Sequence, residues 1–290
     1  MSDTTIPVGR TPTQLALRRF RKNRKAVVCF FVLVGVGLAT LTVPLLSVHD
    51  YDRQDYEYVQ GSPNGIYWMG TDAVGRDLFT RAFLGGQVSF AVGLLATAVS
   101  IAIGIAYGSI SAFAGGRTDL VMMRIVDILY GLPYMFIVIM VMAFVGRSFL
   151  IIFLVLGAFG WLTLSRIVRG QILSLREREF VEAARALGVG TAPIIWRHMI
   201  PNILGPVIVY ATLTVPSIML SESFLSFLGL GISEPDTSWG VLINEGAQAL
   251  NPIRISWWLV TFPGALLAIT LFCLNAVGDG LRDAFDVQQR

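Results

Sequence analysis

Long charge-free stretches alternate with short charged ones along this chain. Six windows carry no Asp, Glu, Lys or Arg: Ala26 to Val48, Ala82 to Gly116, Ile128 to Gly146, Ser148 to Ser165, Met199 to Ser221 and Ile255 to Gly278. A helix rises about 1.5 Å per residue and a bilayer's hydrocarbon core is about 30 Å thick, so roughly 20 apolar residues suffice to cross it. In lipid only helices and closed barrels satisfy their own backbone groups, and these windows lack the alternation of barrel strands. The pattern predicts an all-α, polytopic membrane protein with six transmembrane helices.

Composition agrees. The chain is 54% hydrophobic and 14% charged, against about one quarter charged in a soluble domain. Arg18, Arg19, Arg21, Lys22, Arg24 and Lys25 precede the first window, as in a secretory signal. Yet they start far from the N-terminus, the apolar run is too long, and no A-x-A-like site follows near Ser47, so the first window is expected to remain as an uncleaved helix.

Basic loops stay in the cytoplasm. With the N-terminus inside, the segments 1–25, 117–127, 166–198 and 279–290 share one side and hold 17 of the 22 Lys and Arg residues. The other side holds Arg53, Arg76, Arg81, Arg147 and Arg254. Both termini are therefore expected in the cytoplasm. The chain divides into a cytoplasmic tail (1–25), a first span (26–48), an extracytoplasmic loop (49–81), a five-span core (82–280) with a cytoplasmic loop at 170–200, and a C-terminal tail (281–290). The net charge of +3 serves as orientation signal and attraction to anionic lipid heads, and needs no nucleic acid to explain it.

Little in the chain points to an enzyme. There is no G-x-x-x-x-G-K-[ST] phosphate loop, and the only lysines, Lys22 and Lys25, lie in the N-terminal tail. Gly188-Val189-Gly190 lacks the third glycine of a dinucleotide turn and reads as a helix stop. His49 and His198 fall on opposite sides of the membrane in this topology, and Cys29 and Cys273 lie inside spans without paired spacing, so neither a metal site nor a disulfide is expected.

Ionisable groups beside spans are candidates for the transport path, because charge is costly there. Asp127 begins the third span and Glu222 ends the fifth. The plainer expectation is that Asp127 pairs with Arg124 or meets headgroups and that Glu222 faces outer water. Glycines and prolines, among them Gly104, Gly108, Gly131, Pro133, Gly157, Pro206, Pro216 and Pro263, allow close helix approach and bends, which suits a bundle that moves.

The charged stretch REREFVEAARALGVGTAPIIWRHMIPN, residues 176–202, interrupts the apolar pattern. Ser174 with Glu177 fits a capping box, and Gly188 a left-handed stop. Phe180, Val181, Ala184 and Leu187 fall on one helical face, and Arg178, Glu182 and Arg185 on another. A second short helix is expected from Thr191, with Pro193 in its first turn, to Pro201. Such a hairpin could rest on the membrane surface, but its charged face mixes signs, and Ala183 with Ala184 offers close approach to another protein. Docking of a cytoplasmic partner is the sharper expectation.

Glu182-Ala183-Ala184, three residues, Gly188, and Pro201 thirteen positions later resemble the EAA loop of the membrane subunits of ATP-binding-cassette importers. MGTDAVGRDLFTRAFLGGQVSFAVG (residues 69–93), RRFRKNRKAVV, GGRTDLVMMRIVDIL and GDGLRDAFD resemble the dipeptide, oligopeptide and nickel permease branch. ESFLSFLGLG (residues 222–231) is most similar to the C subunit of oligopeptide permeases. The likeness covers about residues 17–286. His198 stands where the general pattern often has Ile, and Ile200 where it has Leu.

The resemblance implies a type I importer permease fold in a bacterial or archaeal cytoplasmic membrane. It implies a homologous second permease, two ATPase subunits that hold the ATP and Mg while this chain holds no cofactor, and an extracytoplasmic binding protein that delivers peptide. Arg178, Glu182, Ala183, Ala184, Arg185 and Gly188 would then couple to the ATPases. Asp72, Arg76, Asp77 and Arg81 would sit at the outer entrance, at i, i+4 spacings suited to helical ion pairs. Peptides, nickel chelates and glutathione all remain as cargo. An ion-gradient-driven carrier is the rival, but no convincing internal repeat supports it.

Overall fold

The computed structural model describes residues 12–233, 236–251 and 255–285. Arg10, Arg254 and Arg290, three of the basic residues counted for orientation, lie outside the described residues. Among the described residues there is no strand, only an isolated bridge between Thr71 and Asp77.

Helix α1 (Pro12–Lys22) opens on a proline and ends in Arg19, Arg21 and Lys22, the polarity a helix dipole favours. Asn23 separates it from α2 (Arg24–Leu46) and caps α2 by accepting the Ala26 N–H at 3.2 Å. Residues 47–77 form a folded loop. Helix α3 (Leu78–Ala114) follows, 37 residues long, or about 55 Å, beginning four residues before the expected span. Gly115 and Gly116, at φ +63° and +54°, turn the chain into α4 (Gly116–Tyr130).

The third window is not one helix. It begins inside α4, breaks at residues 131–133, and resumes as α5 (Tyr134–Val145), bent from α4 by 76°. Pro133 brings no N–H to continue the ladder. Among the described residues there are thus five helices long and apolar enough to cross a membrane, or six if the bent pair counts as one span.

Helix α6 (Phe149–Arg176), capped by Ser148, runs eleven residues past the fourth window. The capping box expected at Ser174 is therefore not formed, because Ser174 lies in the last turns of α6. Next come the short α7 (Glu179–Ala186) and α8 (Thr191–Pro193), then a π-helical turn (Ile194–Met199) that leads directly into α9 (Ile200–Phe227). The Ile200 N–H reaches back five residues to Ile195 O. Pro201 has no N–H and its ring crowds the preceding turn, which favours this widened register. The second short helix is thus the first turns of a span rather than a separate element ending at Pro201. An element absent from the hydrophobic pattern, α10 (Trp239–Ala249), precedes α11 (Trp258–Phe285).

Helices α3 and α6 form the central pair. A Cβ on Gly104 would lie 2.8 Å from Leu164, one on Gly108 2.5 Å from Ser165 O, and one on Gly157 2.8 Å from Ala96 O. Without a hydrophobic drive between helices in lipid, such small-residue contacts hold spans together through close packing.

Candidate functional site

An eight-residue helix is marginal alone, so α7 depends on what it touches. Val181 and Ala184 are buried in a cluster with Ile172, Ile194, Met199 and Ile203. Glu179 and Glu182 stand in its first turn and Arg185 in its last, each complementing the helix dipole. Gly188, at φ +76°, donates its N–H to Arg185 O at 2.9 Å, and Val189 donates to Ala184 O at 3.0 Å. This pair of bonds is a Schellman stop.

The buried face is narrower than the apolar spacing suggested. Phe180 is exposed and Leu187 is 83% exposed, whereas Ala184 belongs to the chain's own core. Ala184 therefore offers no face to a partner. Exposed on α7 and its caps are Arg178, Glu182, Ala183, Arg185 and Leu187, with the Arg185 guanidinium 5.2 Å over the Phe113 ring. Trp196, on the π turn, is 66% exposed. Mixed charges around a small residue, carried on a firm base, suit insertion into a partner's groove.

At the opposite end of α3, one of the expected i, i+4 ion pairs forms, Asp72 with Arg76, but on the loop rather than on a helix. Asp72 lies in the loop, where its Oδ1 accepts the Val74 and Arg76 N–H groups at 2.9 and 2.8 Å. Its Oδ2 accepts from Arg76 Nε at 2.7 Å and from Arg81. Asp77 does not pair with Arg81. It caps α3, accepting the Thr80 N–H at 3.0 Å and the Thr80 hydroxyl at 2.6 Å. Arg81 is buried and also donates to Glu245 of α10 at 2.8 and 3.1 Å. Nearby, the Tyr67 hydroxyl donates to Asp55 at 2.8 Å. Burial, then the Asp55 carboxylate, push the Tyr67 phenol above its ordinary pKa, which keeps it a donor.

The two candidate path carboxylates differ. Asp127 is exposed and pairs with Arg166 of α6 at 2.7 Å, not with Arg124. Glu222 does not face water. It is fully buried, accepting from Ser226 at 2.7 Å, Ser223 at 3.3 Å and Ser89 at 3.5 Å. Ser89 also accepts the Trp239 N–H at 3.2 Å, so these hydroxyls join α3, α9 and α10. Among the described residues no cation lies within ion-pairing distance of Glu222, and hydroxyl donors satisfy it instead.

Sequence reasoning missed Glu245, Arg166 and the serine cage. Arg166 was legible as the first charge after an apolar window. The i, i+4 spacing of Glu222 and Ser226 was a signal for that bond, but the contact with Ser89 crosses 133 residues.

The chain is similar to known proteins. Residues 100–290 match the family described as binding-protein-dependent transport system inner membrane component, and residues 11–63 match the N-terminal TM domain of oligopeptide transport permease C. The chain is 48% identical to the oligopeptide transport system permease protein OppC of Escherichia coli K12, covering 97% of this chain and 93% of that one. It is 46% identical to the OppC of Haemophilus influenzae (97% and 90% covered) and 41% identical to the dipeptide transport system permease protein DppC of Bacillus subtilis (96% and 86%). The inward-facing MetNI methionine ABC transporter contains a chain of similar fold, with a TM-score of 0.55 at 16% identity, covering 69% of this chain and 94% of that one.

Proposed function

The chain belongs to the inner membrane components of binding-protein-dependent transport systems, and from that premise we propose that it is one permease subunit of an ATP-driven importer of peptides, oligopeptides foremost. The names of its relatives support the cargo class. The complex would comprise a homologous second permease, two ATPase subunits that bind ATP and Mg, and an extracytoplasmic binding protein that delivers peptide. This chain supplies the membrane path and no ATPase site, in keeping with its lack of a phosphate loop. Its basic residues argue for both termini, and α7, in the cytoplasm.

The observation that carries this reading is α7 itself. It stands between two long spans, with Val181 and Ala184 anchored in the chain's own core and Arg178, Glu182, Ala183 and Arg185 turned outward. Through that base, a push on α7 reaches α6 and α9 together. ATPase closure would thereby shift the spans and alternate the access of the path.

Glu182→Lys tests the docking. Reversing one member of a desolvated interfacial charge pair costs about 2–5 kcal/mol, so the ATPases should bind at least about tenfold more weakly, with membrane abundance unchanged because Glu182 is exposed. Ala183→Trp should act alike through a steric clash. The measurement is pull-down of the ATPase subunits, normalised to permease. Full ATPase binding by both variants would reduce α7 to a helix resting on the membrane surface.

A further inference from the structure

A cavity of ≈ 450 Å³ lies where the α4–α5 break meets α6 and α9. Its wall sets Tyr130, Tyr134, Thr163, Tyr210, Ser217 and Ser221 among apolar side chains. Tyr130, Tyr134, Thr163 and Ser217 are exposed although they lie on or beside spans. About one helical turn from Tyr130 and Thr163, the exposed Asp127–Arg166 pair continues the surface, with the Arg166 guanidinium 4.3 Å over the Tyr130 ring.

Lipid is a poor cover for this face. Ionisable side chains in spans face protein or a water-filled cavity, and a broken helix at membrane depth is tolerated in the same places.

We propose that this groove is the wall of the transport path contributed by this subunit, and that its hydroxyls and tyrosine rings contact the main chain of the passing peptide. The inference rests on the importer reading above and adds the place and chemistry of contact. A hydroxyl both donates and accepts, so a row of them meets the alternating N–H and C=O groups of an extended peptide whatever its side chains. Their present bonds run both along and between helices: Ser221 donates to Ser217 O at 2.9 Å and Ser217 to Leu213 O at 3.2 Å, Tyr134 stands 3.3 Å from the Ser221 hydroxyl, Tyr130 bonds Thr163, and Tyr210 donates to Gly160 O at 2.8 Å. These bonds leave acceptor lone pairs for the N–H groups of cargo, and one hydroxyl of the Tyr130–Thr163 pair keeps its proton to donate to a cargo carbonyl. The wall itself carries no charged side chain, and the ion pair beside it, Asp127 with Arg166, cancels its own charge, so the wall prefers neither acidic nor basic peptides.

The test uses the full complex in membrane vesicles, with Cys29 and Cys273 replaced by Ala. Single cysteines at Ser217 and Thr163 should react with a cationic methanethiosulfonate at least about tenfold faster than one at Leu94, an exposed apolar position of α3. Saturating tri-alanine with binding protein should slow both reactions at least about threefold. The double variant Ser217→Ala, Ser221→Ala should slow uptake about three- to tenfold, the scale of one or two lost hydrogen bonds, equally for tri-lysine and tri-glutamate, with ATPase binding unchanged. No labelling in a complex that still imports peptide would mean that this face packs dry against the second permease or lipid, and would overturn the inference while leaving the importer reading intact. Labelling that peptide does not slow would overturn the cargo contact. A complex of unsubstituted chains that imports no peptide would sink the importer reading and the inference with it.

Discussion

Arg81 is 3% exposed and its guanidinium is shared between Asp72 of the outer loop and Glu245 of α10. Breaking a buried, hydrogen-bonded charge cluster by removing one member costs about 3–5 kcal/mol, because the remaining charges lose their counterion. Arg81→Ala is therefore expected to lower the thermal midpoint of the purified subunit and its membrane abundance. Arg81→Lys should recover only part, since an ammonium cannot bridge two carboxylates through a planar fork. A melting curve unchanged in both variants would show the cluster to be dispensable. The sequence displayed Asp72, Arg76, Asp77 and Arg81 as a cluster, but spacing alone suggested helical pairs. Spacing gives Asp72 with Arg76, whereas the other partners follow from two things it does not carry: Asp77 is consumed as the cap of α3, and Glu245 arrives from 164 residues away. For the same reason Glu222 read as a border charge, whereas α10 folds over it and brings Trp239 onto Ser89.

Helices α3 and α6 meet through glycine, so bulk placed there acts on the element pair. In Gly108→Leu the new Cβ would press on Ser165 O and Val168. Overpacking costs about 1–3 kcal/mol and more where backbone must move. We expect Gly108→Leu to lose thermal stability and Gly170→Leu, where nothing lies within 4 Å of an added Cβ, to keep it. Equal stability of the two variants would contradict the packing described. Most spans were legible because a charge-free run of about 20 residues has few other fates. Their ends were not, since α6 extends to Arg176 on polar turns outside any apolar window. The broken third window carried its signal in Gly131-Leu132-Pro133, which periodicity averages away. Helix α10 was missed because eleven residues with an acidic Glu245 resemble any loop between spans.

For the whole molecule, orientation and energy source are the two outstanding properties. The excess of basic residues on one side predicts that, with Cys29 and Cys273 replaced, a cysteine at Ser62 reacts with an impermeant maleimide in intact cells and one at Thr191 does not. Outside labelling at Thr191 would invert the topology. The family and its relatives were reachable from the EAA-like loop and the apolar pattern together. The path-facing groove was not, because it forms only when α4, α5, α6 and α9 are brought side by side. Buried Glu222 is a feature an ion-coupled carrier would use, so the central claim is tested most directly by the energy source. Proteoliposomes holding this chain, its second permease, the ATPases and the binding protein should accumulate radiolabelled oligopeptide when ATP is supplied on the ATPase side, without any ion gradient. Uptake that ignores ATP but follows an imposed proton gradient would contradict the account.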